Sequence, residues 1–200
     1  MIKLIFIRHP ATNWDKQQRY LGITDVGLNR KGQEQTELIA NYLKNKNISA
    51  VYSSNLIRAS RVASIIAKHH SLEVKNDEGL NEIDFGSWEG MTFDQILKKY
   101  PKMARKYLSD PLKVKIPKGE SLLKFRNRVN KILKKIITQE KGAVAIITHA
   151  GVNRIIICNL LKFPLSYFWR IKQDIGAINI IESYQNINVI SLLNHTLWEN

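Results

Sequence analysis

The chain has 200 residues, 44% of them hydrophobic and 24% charged, a composition that excludes disordered, collagen-like and coiled-coil architectures. A single cysteine, Cys158, excludes an intrachain disulfide and a cysteine-rich zinc site, and points to a reducing, cytoplasmic compartment. Lys and Arg number 31 against 17 Asp and Glu, a net charge of +14, and between Lys98 and Lys141 the count is 15 basic to three acidic. Such a block marks either an anionic partner or helices with solvated lysine faces, and the second reading is the better supported.

The opening Ile2 to Ile7 is a continuous apolar run, typical of a strand covered on both faces. Arg8 and His9 cut it short, and no small-residue cleavage site follows, so it reads as a strand rather than a secretory leader. No apolar run approaches the roughly 18 residues needed to cross a bilayer. Asn29 to Lys46 follows as a helix, with Leu38, Ile39, Tyr42 and Leu43 as its apolar positions, then a strand at Ile48 to Tyr52 and a helix at Leu56 to Lys68. Pro101 divides a short helix at Phe93 to Tyr100 from a second reaching about Leu108, and Pro111 and Pro117 bracket an irregular connection.

Ser121 to Thr138 is the clearest helix, with Leu122, Phe125, Val129, Ile132 and Ile136 stepping by three or four. Ala143 to Ile147 is a buried strand and Val152 to Leu161 a helix. Ala177 to Glu182 and Val189 to Leu193, separated by Tyr184, Gln185 and Asn186, read as a closing antiparallel pair. The alternation predicts an α/β three-layer sandwich: a mostly parallel central sheet, helices on both faces and a C-terminal antiparallel pair. One domain over 1–200, with a helical insert at about 91–118, is the expected organisation.

Ligands in such sheets bind at the carboxyl ends of the strands. Arg8 and His9 follow the first strand, Ser53, Ser54 and Arg58 the second, and Thr148, His149, Ala150 and Gly151 the strand at Ala143 to Ile147. Arginine's planar fork matches phosphate oxygens, so these ends describe an anion site. The same positive field disfavours imidazolium and leaves a neutral imidazole with a lone pair, which suits a nucleophile towards phosphorus. His69, His70 and His195 lack such surroundings and read as structural. No H-x-H or H-E-x-x-H spacing occurs, so no metal and no other cofactor is expected, and no G-x-x-x-x-G-K-[ST] phosphate loop is present.

These residues resemble the histidine phosphatase superfamily, in its phosphoglycerate-mutase-like branch. Arg8-His9 resembles the R-H-G signature, Gly22 to Gly32 the G-x-x-D-x-x-L-x-x-x-G segment, and Ser53-Ser54 to Arg58 the S-S-x-x-x-R motif. Glu82 to Gly90 resembles E-x-x-F-G-x-W-E-G, and Gly119-Glu120-Ser121 and Thr148 to Gly151 complete the order. The resemblance implies a two-step phosphoryl transfer in which His9 attacks, Arg8, Arg58 and His149 hold the equatorial oxygens, and Glu82 serves the leaving alcohol and then water. Leu80, Ile83 and Phe85 supply an apolar shell that would keep Glu82 protonated, with Asp84 and Glu89 as rivals. Asp15, Leu21, Gly22 and Ala150 complete the expected substrate contacts.

Two positions depart from the family pattern. Pro10 stands where the family has glycine and removes a backbone donor, for which Asn13 is the substitute on offer. Asp15 puts a negative charge where many members have asparagine. The expected function is hydrolysis of a small phosphorylated metabolite, with α-ribazole 5′-phosphate as one candidate and a cofactor-type phosphoglycerate mutase as the alternative. A reading of another class is a weakly catalytic anion- or nucleic-acid-binding protein using the basic 98–141 block. That block interleaves few aromatics, so nucleic acid is not expected as a partner, nor is a membrane. A second copy of the chain, as a homodimer, stays open.

Overall fold

The computed structural model describes residues 1–185 and 187–198, so Asn186 of the expected turn lies outside the described residues. Among these residues six strands form one sheet: β1 (Ile2–Arg8), β2 (Ile48–Ser53), β3 (Val74–Asn76), β4 (Gly142–Thr148), β5 (Ile178–Ser183) and β6 (Asn188–His195), in the order β3-β2-β4-β1-β5-β6. The first four are mutually parallel, while β5 runs antiparallel to both β1 and β6. The expected fold class is therefore the one found, with the short edge strand β3 as an addition that its three residues are too few to announce.

Alternation along β1 divides the core. Leu4 and Phe6 face helices α6 (Leu122–Gln139) and α7 (Ala150–Leu160), while Ile5 and Ile7 face α2 (Arg30–Leu43) and α3 (Ile57–His69). The apolar stripe of α6 is buried as its spacing requires. In α2 the buried face runs through Gln35, Thr36, Ile39, Ala40 and Leu43, and Leu38 is 47% exposed, because small and polar residues fill positions that an apolar count assigns to leucine.

Side chains set the helix starts. Asn29 accepts from Gly32 N and Ser121 from Lys124 N, so both stand at N-caps rather than inside their helices. Helix α7 begins two residues ahead of the apolar pattern, with His149 at its N-cap. The segment after Gly90 contains α4 (Phe93–Lys99) and α5 (Pro101–Ser109), Pro101 opening the latter. They close over a separate small core of Trp88, Ile96, Ala104, Tyr107, Val114 and Ile116. A four-residue helix α1 (Asn13–Lys16) follows β1.

Candidate active site

Strand register brings the candidate residues together. Arg8 is paired with Thr148 across β1 and β4, and Ser53 with Ile147 across β2 and β4, so His9, His149 and Ser54 each stand one residue beyond adjacent strand ends. The His9 and His149 ring centroids are 5.2 Å apart, and both residues are buried, as are Arg58 and Glu82. His69, His70 and His195 lie elsewhere, in or beside α3 and on β6.

His9 Nδ1 lies 2.8 Å from the Pro10 carbonyl oxygen, which only accepts. The proton therefore sits on Nδ1 and the lone pair on Nε2. Burial, then Arg58 and Arg8, lowers the His9 pKa to about 3 against the opposing pull of Asp15, so the ring is neutral at ordinary pH. Pro10 does lack an N–H, yet its carbonyl carries out a task that any residue there performs equally.

Arg58 donates from Nη1 to Thr24 O at 2.8 Å and from Nη2 to Gly22 O at 2.5 Å. Burial brings its pKa down to about 10, against the pull of Glu82, Asp15, Asp25 and Glu89, which leaves it fully charged near neutrality. Gly22 has no room for a side chain, because a Cβ would stand 2.1 Å from Glu89 Oε1 and 2.2 Å from Ile83 O. Its N–H donates to Glu89 and its carbonyl accepts from Arg58, so Gly22 holds the arginine rather than offering a free donor. Leu21 beside it is half-buried.

Arg8 is held by the Gln173 carbonyl at 2.8 Å and by Asp15 at 3.0 Å. Asp15 also accepts from Thr12 N and Oγ1, closing a capping box on α1. Burial pushes the Asp15 pKa up, but His9, Arg8 and the Thr12 hydrogen bonds together bring it below the usual value. Its charge is thus committed to Arg8 and Thr12. Asn13 is exposed on α1.

Glu82 differs from its rivals. Its Oε1 accepts from Ile83 N and its Oε2 from Gly151 N, both at 3.0 Å, and a Cβ on Gly151 would stand 2.3 Å from Oε1. Leu80 and Ile83 are buried nearby and Phe85 is half-buried, but two backbone donors also reach the carboxyl, which an apolar shell alone does not anticipate. The carboxyl stands at the N-terminus of α7, where Ala150 takes the first helical position. Glu89 instead accepts from the N–H groups of Gly22, Ile23, Thr24 and Phe85 and from Thr24 Oγ1, an anchor for the loop that holds Arg58. Asp84 accepts from Gly86 N.

Three buried nitrogens on these residues have no hydrogen-bond partner among the described residues: Arg8 Nε, Arg58 Nε and His149 Nδ1. Two of them are guanidinium donors, and buried donors are rarely left unpaired, so the site is suited to an acceptor-rich anion. Arg154 is the residue that motif reading misses. It is the sole charge on α7, donates from Nε to Ile171 O at 2.8 Å, lies over the Phe168 and Trp169 rings, and feels the charges of Glu82 and Arg8. A lone charge on an otherwise apolar helix is the signal that marks it.

The sequence profile of the histidine phosphatase superfamily (branch 1) matches residues 4–196. The chain belongs to that superfamily. Among curated relatives, phosphoserine phosphatase 1 of Hydrogenobacter thermophilus is 34% identical over 197 residues, covering 98% of this chain and 93% of that protein. The solved structure of YhfR from Bacillus stearothermophilus is 26% identical with a TM-score of 0.88 over 96% of each chain. The alpha-ribazole phosphatase from Shigella flexneri, 24% identical with a TM-score of 0.87 over 99% of this chain and 100% of that one, shares the fold. This histidine phosphatase is thus an enzyme of the phosphatase class, and among its described residues no helix is long and apolar enough to cross a membrane.

Proposed function

We propose that the enzyme hydrolyses small phosphomonoesters through a phosphohistidine at His9. The gathering of Arg58, Arg8 and His149 about the neutral His9 ring carries this reading, since these are the groups that the oxygens of a transferring phosphoryl group require. In the first step the Nε2 lone pair of His9 attacks phosphorus and the P–O ester bond breaks. A proton on Glu82 passes to the leaving alkoxide. In the second step Glu82, now a carboxylate, takes a proton from water, the water oxygen attacks phosphorus, and the P–N bond returns its electrons to His9. Each Glu82 oxygen has a second lone pair beyond its N–H contact, so the proton has a seat without displacing either donor.

For the alcohol side we favour a small metabolite bearing a carboxylate. Arg154 flanks Glu82, only its Nε donates within the protein among the described residues, and a relative at 34% identity is named a phosphoserine phosphatase. α-Ribazole 5′-phosphate and 3-phosphoglycerate are the competing substrates, the latter separating hydrolysis from mutase transfer. One domain over 1–200, with its insert at 91–118, belongs to the same proposal.

The test is a phosphomonoester screen in chelator, coupled to quenching during turnover. An acid-labile, base-stable phosphoryl label should map to His9 and vanish with activity in His9→Ala. A label on His149, or undiminished turnover by His9→Ala, would sink the assignment.

A further inference from the structure

His149 Nε2 lies 2.8 Å from Ser54 Oγ, and the proton on that contact can be placed by elimination. Asn55 N, a donor only, lies 3.0 Å from Asn81 Oδ1, which fixes the oxygen of that amide on this side. Ser54 Oγ is 3.0 Å from the same Oδ1 and accepts from Leu56 N at 3.0 Å. The single hydroxyl hydrogen must go to Oδ1, because otherwise two oxygens would meet lone pair to lone pair. Ser54 can then only accept from His149, so Nε2 carries a hydrogen and the neutral ring keeps its lone pair on Nδ1.

A bare lone pair at Nδ1 repels a phosphoryl oxygen. We infer that Asn81 is a positioning residue which, through Ser54, locks His149 with its hydrogen on Nε2, so that an anion in the site is bound only with uptake of one proton at Nδ1. The inference rests on the phosphoryl site proposed above and adds which atom of His149 meets the anion and in what state. The proton comes from solvent, and the incoming dianion supplies the charge that holds it. Burial first, then Arg58, His9, Arg8 and Arg128, opposes protonation in the empty site. Glu82, bonded to Gly151 N two residues on, is the carboxyl on that side. Uptake therefore follows binding and does not precede it.

The experiment uses tungstate, a dianion that does not itself titrate near neutral pH, with the full chain. Calorimetry in buffers of different ionisation enthalpy should show close to one proton taken up per tungstate. Ring 15N spectra should show His149 protonated at Nε2 alone before binding and at both nitrogens after. Asn81→Leu frees the Ser54 hydroxyl to turn and donate to Nε2, so the ring moves its hydrogen to Nδ1 and proton uptake falls by half or more. Its kcat should drop about tenfold with little change in KM. Asn81→Asp keeps the acceptor and should restore the wild-type tautomer and uptake, which a merely structural role for Asn81 does not require.

Tungstate binding without proton uptake in the wild type overturns the inference, as does an unchanged ring pattern in Asn81→Leu. Should Asn81→Leu fail to fold, Asn81→Asp still decides, since loss of the Nε2 hydrogen there is equally fatal. Spectra and calorimetry need no turnover, so failure of the phosphohistidine chemistry leaves this test standing.

Discussion

Acidification should weaken the fold well before its carboxylates protonate. His9 titrates near 6.5 when unfolded and near 3 in the fold, where burial is the largest cause and Arg58 the next. In the interval between those values the unfolded chain binds a proton that folded His9 refuses, so stability falls as pH falls. Integrated from about pH 7 to about pH 5, that difference is about 2 kcal/mol for one such histidine. His149 is shifted in the same direction by burial and by Arg58 and adds a loss of the same sign, and even the His9 share is large beside the 5–15 kcal/mol typical of a domain. Asp15, depressed below 3.8, adds its loss only below this window. Urea unfolding followed by tryptophan fluorescence at three pH values measures the effect, and His9→Gln should remove the His9 share of about 2 kcal/mol from it. Equal stability at pH 7 and pH 5, or an unaltered slope in His9→Gln, would refute the argument that both rings are held neutral.

Three other outcomes follow from the site. Glu82→Gln can accept from only one of the two backbone N–H groups and cannot supply a proton, so turnover of alkyl phosphates should fall by 100-fold or more, on the order expected of a general acid, and p-nitrophenyl phosphate far less; equal losses would remove Glu82 as the acid. Arg154→Met should raise KM for a carboxylate-bearing substrate about tenfold while sparing p-nitrophenyl phosphate, and an equal effect on both would place Arg154 outside the alcohol side. Lys131 and Lys135 line a cavity of about 760 Å³ together with Asn81 and Asp84, so replacing Lys131, Lys134 and Lys135 by glutamine should raise KM modestly at low salt only; a large fall in kcat would give them another task.

The fold and the cluster of site residues are legible in the sequence for one reason. A strand buried on both faces reads as an apolar run, its end is abrupt, and parallel strands in register bring those ends together, as Arg8 opposite Thr148 does here. What stays illegible depends on partners distant in sequence. Glu82, Asp84 and Glu89 are equivalent as letters, and only the approach of Gly151 N to one and of the Gly22 to Thr24 amides to another separates them. Arg154 looks like an isolated helix charge until Ile171 and the Phe168 and Trp169 rings hold it against the site. Leu38 and Ile57 show the converse, apolar residues on helical spacing that face solvent because neighbouring small residues pack closer.

Arg8 and Arg58 are held in unlike ways, and this bears on how the product departs. Arg58 rests on two carbonyls, whose dipoles orient it without cancelling its charge, whereas Arg8 is neutralised by Asp15. With His149 protonated, the groups in contact with a phosphoryl dianion then sum to two positive charges, a balance rather than an excess. An asparagine at position 15 would leave a third positive charge facing inorganic phosphate after hydrolysis and slow its escape. Asp15→Asn should therefore bind inorganic phosphate more tightly, and product-inhibition constants that do not fall in that variant would refute the charge balance.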